Sequence, residues 1–182
     1  MAFILAIDAS LSGCAVCLYD SDADCVIAEK FSTNDMKQAE ELAPMVEEVW
    51  GKRELHSIAV TLGPGSFTGI RIALAFAKAF AFSQSLPLYG VSNFDVAALV
   101  HGDDQLCLID TKRGDFYAGG AGREPFILAA DLITPDMITI HKLEPQYIAK
   151  ASLTHGSIQA EPLYIREAEV SLSKTIPPRI VG

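Results

Sequence analysis

The spacing of hydrophobic and polar positions divides this chain into elements from its first residues onward. Residues 3–9 are a continuous apolar run, the pattern of a strand covered on both faces, and the run stops at Asp8-Ala9-Ser10-Leu11-Ser12-Gly13. Residues 14–19 predict a second strand, the acidic Asp20-Ser21-Asp22-Ala23-Asp24 a turn, and residues 25–31 a third strand, so the chain opens as an antiparallel meander. Over 37–50, Leu42, Met45, Val46 and Val49 recur at helical spacing, with Glu40, Glu41, Glu47 and Glu48 on the outer side. Pro44 falls inside that helix and is expected to bend or loosen it, because it removes a backbone donor. Residues 57–61 predict a fourth strand and 86–91 a fifth, after which Ser92-Asn93-Phe94-Asp95 has the form of a helix cap opening a short helix to Val100.

Between the fourth and fifth strands lies the most unusual stretch. Gly63-Pro64-Gly65-Ser66-Phe67-Thr68-Gly69 breaks the chain into a tight loop, and 70–82 then predict a helix apolar over most of its circumference. Ile72, Phe76 and Phe80 share one face, Ile70 and Leu74 a neighbouring one, and Ala73, Ala77 and Ala81 form a small-residue stripe between them. Arg71 and Lys78 are the helix's charges. Such a helix is covered on more than one side. Either this chain's own fold covers all of it, or one face packs on its own sheet and another on a partner; the second is the expectation carried forward.

After the polar His101-Gly102-Asp103-Asp104-Gln105 the pattern starts again. Cys107-Leu108-Ile109-Asp110 repeats Leu5-Ala6-Ile7-Asp8, and each is followed by a glycine, Gly114 or Gly13, and a further strand. A duplicated lobe is expected, with boundaries at 1–102 and 103–182. Beyond it, 113–119 reads as turn and strand, 125–128 as a strand, Thr134-Pro135-Asp136-Met137 as a turn or helix start, and 161–167 as a strand, with no clear element over 137–153 and a frayed end at 177–179.

Composition narrows the chemistry. The 182 residues are 50% hydrophobic and 20% charged, a globular rather than disordered balance. A net charge of −9 makes the chain by itself a poor partner for polyanions, so any contact with nucleic acid is expected to run through another subunit. The N-terminus lacks a basic region and reaches Asp8 too early for a signal peptide, no stretch has membrane length, and a cytoplasmic location is expected. Cys14, Cys17, Cys25 and Cys107 read as buried free thiols; an offset of three along a strand puts Cys14 and Cys17 on opposite faces.

Two readings stand for the glycine loop: an anion cradle at a helix N-terminus, or a structural turn with Ser66 or Thr68 as cap. It lacks the Lys-Ser/Thr pair of a Walker loop. Asp8 and Asp110 likewise either position a metal-bound nucleotide or cap their strand ends. His56, His101, His141 and His155 are scattered, and neither H-x-x-x-H nor a G-x-S-x-G elbow occurs.

Four stretches together, Ile7-Asp8-Ala9-Ser10, 63–71, Asp110-Thr111-Lys112-Arg113-Gly114-Asp115-Phe116-Tyr117 and Pro162-Leu163-Tyr164-Ile165-Arg166, resemble the bacterial TsaB (YeaZ) family, a glycoprotease-like branch of the actin/hsp70/sugar-kinase superfamily. The resemblance implies an α/β fold of two actin-like lobes, a βββαβα-type N-terminal lobe and here a shortened second one. It also implies a non-catalytic subunit that pairs with the related TsaD, and with the ATPase TsaE, to threonylcarbamoylate the adenosine beside the anticodon of ANN-decoding tRNAs, touching tRNA only indirectly. Pairing through the first two helices puts Leu42, Met45, Val49, Ile72, Ala73, Phe76, Ala77 and Phe80 at the expected interface, with self-pairing when the partner is missing. A residual anion loop would use Asp8, Ser10, Gly63, Gly65 and Ser66. The metal-holding histidines of the catalytic relative have no match in Met36-Lys37-Gln38-Ala39-Glu40-Glu41, and Ala9 stands where the family usually has Thr, so neither catalytic residues nor a metal or cofactor is expected. The alternative reading is a hydrolase or ATPase active by itself.

Overall fold

The computed structural model describes residues 1–166. Its central strand is β1 (Phe3–Asp8), whose continuous apolar sequence is explained by cover on both sides. β2 (Cys14–Asp20) and β3 (Cys25–Ser32) follow antiparallel, α1 (Gln38–Trp50) crosses over so that β4 (Ser57–Thr61) lies parallel beside β1, and α2 (Phe67–Gln84) does the same for β5 (Leu88–Val91). The sheet order is β3-β2-β1-β4-β5, and α3 (Asn93–His101) follows. This is the βββαβα plan expected above.

A second sheet then repeats the first. β6 (Cys107–Asp110), β7 (Asp115–Gly119), β8 (Phe126–Ala129) and β9 (Ile138–Thr139) stand in the order β8-β7-β6-β9, matching β3-β2-β1-β4, again with an antiparallel meander and a parallel fourth strand. Where the first half has α1, the second has only a short 3-10 turn, Ala130–Leu132. The shortening therefore falls on the crossover, and Phe126, Ile127, Leu132 and Ile133 are left exposed there. α4 (Pro145–Thr154) follows β9 and packs back on β1, β2, β4 and β5 of the first sheet.

Strand alternation assigns side chains to two cores. Leu5, Ile7, Cys14, Val16 and Leu18 face α1 and α2, whereas Ile4, Ala6, Cys17 and Tyr19 face a cluster shared with α3, α4 and β6 of the second half. Cys14 and Cys17 thus fall on opposite sheet faces, and burial pushes their thiols up to about 11 and about 12. Cys25 corrects the expectation of four buried thiols: it is exposed because β3 is an edge strand with one face in solvent.

α1 runs through Pro44 to Trp50, with the proline on the exposed side. The strand expected over 161–167 needs correction: 161–166 are neither helix nor strand, Glu167 lies outside the described residues, and Leu163 N donates to Leu62 O at 2.8 Å. The end expected to fray, 177–179, lies outside the described residues. Among the described residues no helix is long and apolar enough to cross a membrane.

Candidate functional site

Because β1 and β4 are parallel neighbours in register Ile7 to Val60, their C-terminal ends Asp8 and Thr61 lie side by side. Asp8 Oδ1 accepts from Ser10 N at 2.8 Å, Ser10 Oγ at 2.6 Å and Thr61 Oγ1 at 2.5 Å. Ser10 Oγ in turn accepts from Asn93 Nδ2 at 2.8 Å, and the same amide donates to Pro64 O at 2.8 Å. Ser66 N donates to Ser10 O at 2.6 Å, and Gln38 Nε2 donates to Gly13 O at 2.6 Å. The network fastens the glycine loop and the starts of α1 and α3 to the end of β1. Gly65 and Gly69 permit this closeness: an added Cβ would stand 2.0 Å from Ser10 O at Gly65 and 1.8 Å from Ala9 O at Gly69.

Ser66 caps α2, accepting from Gly69 N at 3.2 Å, as the structural-turn reading expects. Asp8 is 4% exposed and Ser10 fully buried, and Gly63 is also buried. Asp8, Ser10 and Gly63 are thereby corrected as anion-loop residues, since all three are buried and the Asp8 and Ser10 side chains and the Gly63 carbonyl are taken up by the fold. Asp110, the counterpart of Asp8 on β6, is half-buried; the backbone N–H and ammonium of Lys112 hold its carboxyl below the usual range. Both aspartates cap strand ends, and among the described residues no three His, Cys, Asp or Glu side chains gather as a metal would require.

Gly65 and Ser66 line a cleft of about 390 Å³ between the lobes, together with Phe67 and Ile70 of α2, Thr111, Arg113 and Tyr117 from the β6–β7 hairpin, and Leu163 to Arg166. Its arginines have partners. Arg71, at its edge, lies 3.7 Å over the Phe67 ring and donates to Tyr164 Oη at 3.1 Å; Arg166 pairs with Asp115. Arg71 and Tyr164 are 93 residues apart, so nothing local in the sequence announces this contact.

The expected interface divides in two. Leu42, Met45 and Val49 of α1 and Ala73 and Ala77 of α2 are buried in the chain's own core. These five are corrected as docking residues. The stripe Ala73, Ala77, Ala81 brings α2 close to its own sheet, and periodicity alone does not say which of two small-residue stripes faces inward. The outward stripe is Ala75 and Ala79, continued by Arg71, Lys78 and Phe82, the last 89% exposed. Ile72, Phe76 and Phe80 flank it, half-buried. Phe80 meets Trp50 of α1 edge-on at 5.1 Å and stacks on Phe76 at 5.8 Å. Trp50, Ala75, Ala79 and Phe82 were missed by the sequence reading. An apolar surface spanning the α1–α2 seam, with Glu40, Glu47 and Glu48 exposed on α1, is therefore open to solvent.

Comparison with known proteins follows the same lines. The chain is 29% identical over 152 residues to the tRNA threonylcarbamoyladenosine biosynthesis protein TsaB of Buchnera aphidicola (Schizaphis graminum), covering 78% of this chain and 70% of that one. It is 32% identical over 124 residues to the Bacillus subtilis protein of the same name and 30% identical over 124 residues to that of Escherichia coli, spanning about half the length of each (53% and 52%) and 64% and 63% of this chain. The solved structure of YeaZ from Pseudomonas aeruginosa, at 21% identity, superposes with a TM-score of 0.71 over 90% of this chain and all of that one, which shows a shared fold. The family model described as TsaD, tRNA N6-adenosine threonylcarbamoyltransferase, matches residues 33–172, more than three quarters of the sequence. By that match the chain belongs to the TsaD family of tRNA N6-adenosine threonylcarbamoyltransferases, and within it is similar to the TsaB proteins.

Proposed function

We propose that this chain is a non-catalytic subunit in the threonylcarbamoylation of tRNA adenosine, and that it acts in the cytoplasm by docking through the α1–α2 seam onto a TsaD-type catalytic subunit, with a TsaE-type ATPase in the same assembly. The observation that carries the reading is the outward surface of α2. Ala75 and Ala79 allow another backbone to come close, Phe82 projects beside them, and Phe76, Phe80 and Trp50 supply flat aromatic cover. A surface of this kind gains by being removed from water, at about 25 cal/mol per Å² of apolar area. Membership of the family and the similarity to the TsaB proteins support the pathway.

The site chemistry supports the subordinate role. Asp8, Ser10 and Thr61 satisfy one another, and Gln38, which opens α1, spends its amide on Gly13 O. Size-exclusion chromatography with the TsaD-family protein of the same organism tests the docking, using Ala79→Arg because position 79 is exposed and arginine is a good helix former. The wild type is expected to co-elute with the partner and Ala79→Arg to elute separately with unchanged circular dichroism. Co-elution of the variant would refute the proposed seam, and a wild type that pairs only with its own copy would refute the heteromeric reading.

A further inference from the structure

The stretch Pro162-Leu163-Tyr164-Ile165-Arg166 has no part in the α1–α2 seam, yet it is held as though it had a task. It is neither helix nor strand, and it contributes four of the residues that line the interlobe cleft. The first lobe holds it from one side. Leu62 O accepts from Leu163 N at 2.8 Å, and the Tyr164 ring lies 5.4 Å from that of Phe67 at a tilt of 38°. Arg71 closes over both, 3.7 Å above Phe67 and bonded to Tyr164 Oη at 3.1 Å. The second lobe holds it from the other side. Arg166 donates to the carboxylate of Asp115 at the start of β7, which also accepts from Thr111 Oγ1, and Ile165 packs on the core shared by the two halves.

Irregular chain stays ordered only when its contacts outweigh the conformational freedom it gives up. Here the contacts pass from the first lobe at Leu163 and Tyr164, through the shared core at Ile165, to the second lobe at Arg166, so the segment cannot stay in place unless the two lobes keep one separation. The arginines concerned are also committed to the chain itself: Arg71 to Phe67 and Tyr164, Arg166 to Asp115. We propose that residues 162–166 are a clasp that fixes the opening of the interlobe cleft, with the Arg166–Asp115 pair as its catch, so that the first turn of α2 and strand β7 move as one body.

Hydrogen–deuterium exchange on the full chain tests this without any partner, so its failure and that of the docking reading are separable. Arg166→Ala is expected to raise exchange in the α2 first turn and in β7 by about tenfold, the size of effect expected for a partly exposed charged hydrogen bond that guards a local opening. Amides of β1 and β4 should exchange as in the wild type. Asp115→Ala should reproduce the effect, the double variant should add nothing to it, and Arg166→Lys should restore most of the protection. Tyr164→Ala should loosen the α2 side without touching the ion pair. Unchanged exchange at both places, an increase spread equally over β1 and β4, additive effects of the two alanines, or loss of the native fold would each overturn the proposal, because a surface clasp opens without dissolving the core.

Discussion

Gly69→Ala should destabilise the chain, although alanine is ordinarily the better helix residue. Position 69 lies in the first turn of α2, where the intrinsic gain from replacing glycine is about 1 kcal/mol at most. Against it stands a backbone contact: the new Cβ would be 1.8 Å from Ala9 O and 3.1 Å from Gln38 Nε2. Carbon and carbonyl oxygen ordinarily approach to about 3.3 Å, so the helix and the β1–β2 turn must separate by roughly 1.5 Å. Ala9 O cannot rotate aside, since it belongs to the turn that Asp8, Ser10 and Ser66 fasten. α2 buries Ile70, Ala73, Leu74, Ala77 and Ala81, and a displacement of that size strains all of them, at a cost of about 3 kcal/mol typical of overpacked cores. The clash wins, leaving a net loss of about 2 kcal/mol. Urea unfolding followed by circular dichroism reads this directly, with Ala75→Gly, exposed on the same helix, as a calibration expected to cost about 1 kcal/mol. A midpoint for Gly69→Ala at or above that of the wild type would refute the packing argument.

Two further expectations concern the network and the charged surface. Thr61→Val keeps the side-chain shape but withdraws a donor from Asp8, and should lower stability by about 1–2 kcal/mol in the same urea assay; Asp8→Ala, which strands three donors, should cost more. Asp24 is held below its ordinary carboxyl value of 3.8 by hydrogen bonds first from Lys150 and then from Tyr19, and the bond to Asp24 raises Lys150 above its ordinary 10.5. The stability that Asp24 adds is thus fully present above pH 3.8 and lost as the pH falls through its lowered value, while that of Lys150 is present below pH 10.5 and lost as the pH climbs through its raised value. Asp24→Asn, whose φ of 52° asparagine tolerates, should lower the thermal midpoint slightly at pH 7, and the difference from the wild type should shrink as the pH falls through the lowered carboxyl value.

The elements of the first lobe were legible because their signals are local. Leu42, Met45, Val46 and Val49 mark one helix face whatever surrounds them, and the apolar run of β1 is what a strand between two helix layers requires. The direction of α2 was less legible. Ala73-Ala77-Ala81 and Ala75-Ala79 are both small-residue stripes, and only the position of β4 settles that the first turns inward. β9 is too short to show alternation and exists by pairing with Cys107 and Leu108. α4 buries Ala149, Ala151 and Ser152, small side chains that leave a faint hydrophobic pattern, although Pro145 at its first turn was a start signal that could have been read. Residues 161–166 read like a strand but cross between lobes, and their partners, Leu62, Phe67, Arg71 and Asp115, are distant in the chain.

The account stands most directly on reconstituted tRNA modification. Incorporation of labelled threonine into an ANN-decoding tRNA is measured with the TsaD-type and TsaE-type subunits of the same organism and an enzyme that makes threonylcarbamoyl-adenylate, with this chain present, omitted, or replaced by Ala79→Arg. Incorporation is expected with the wild type and only background in the other two. Full incorporation without the chain, or with Ala79→Arg in its place, would contradict the claim that the outward surface of α2 is what the assembly needs from this protein.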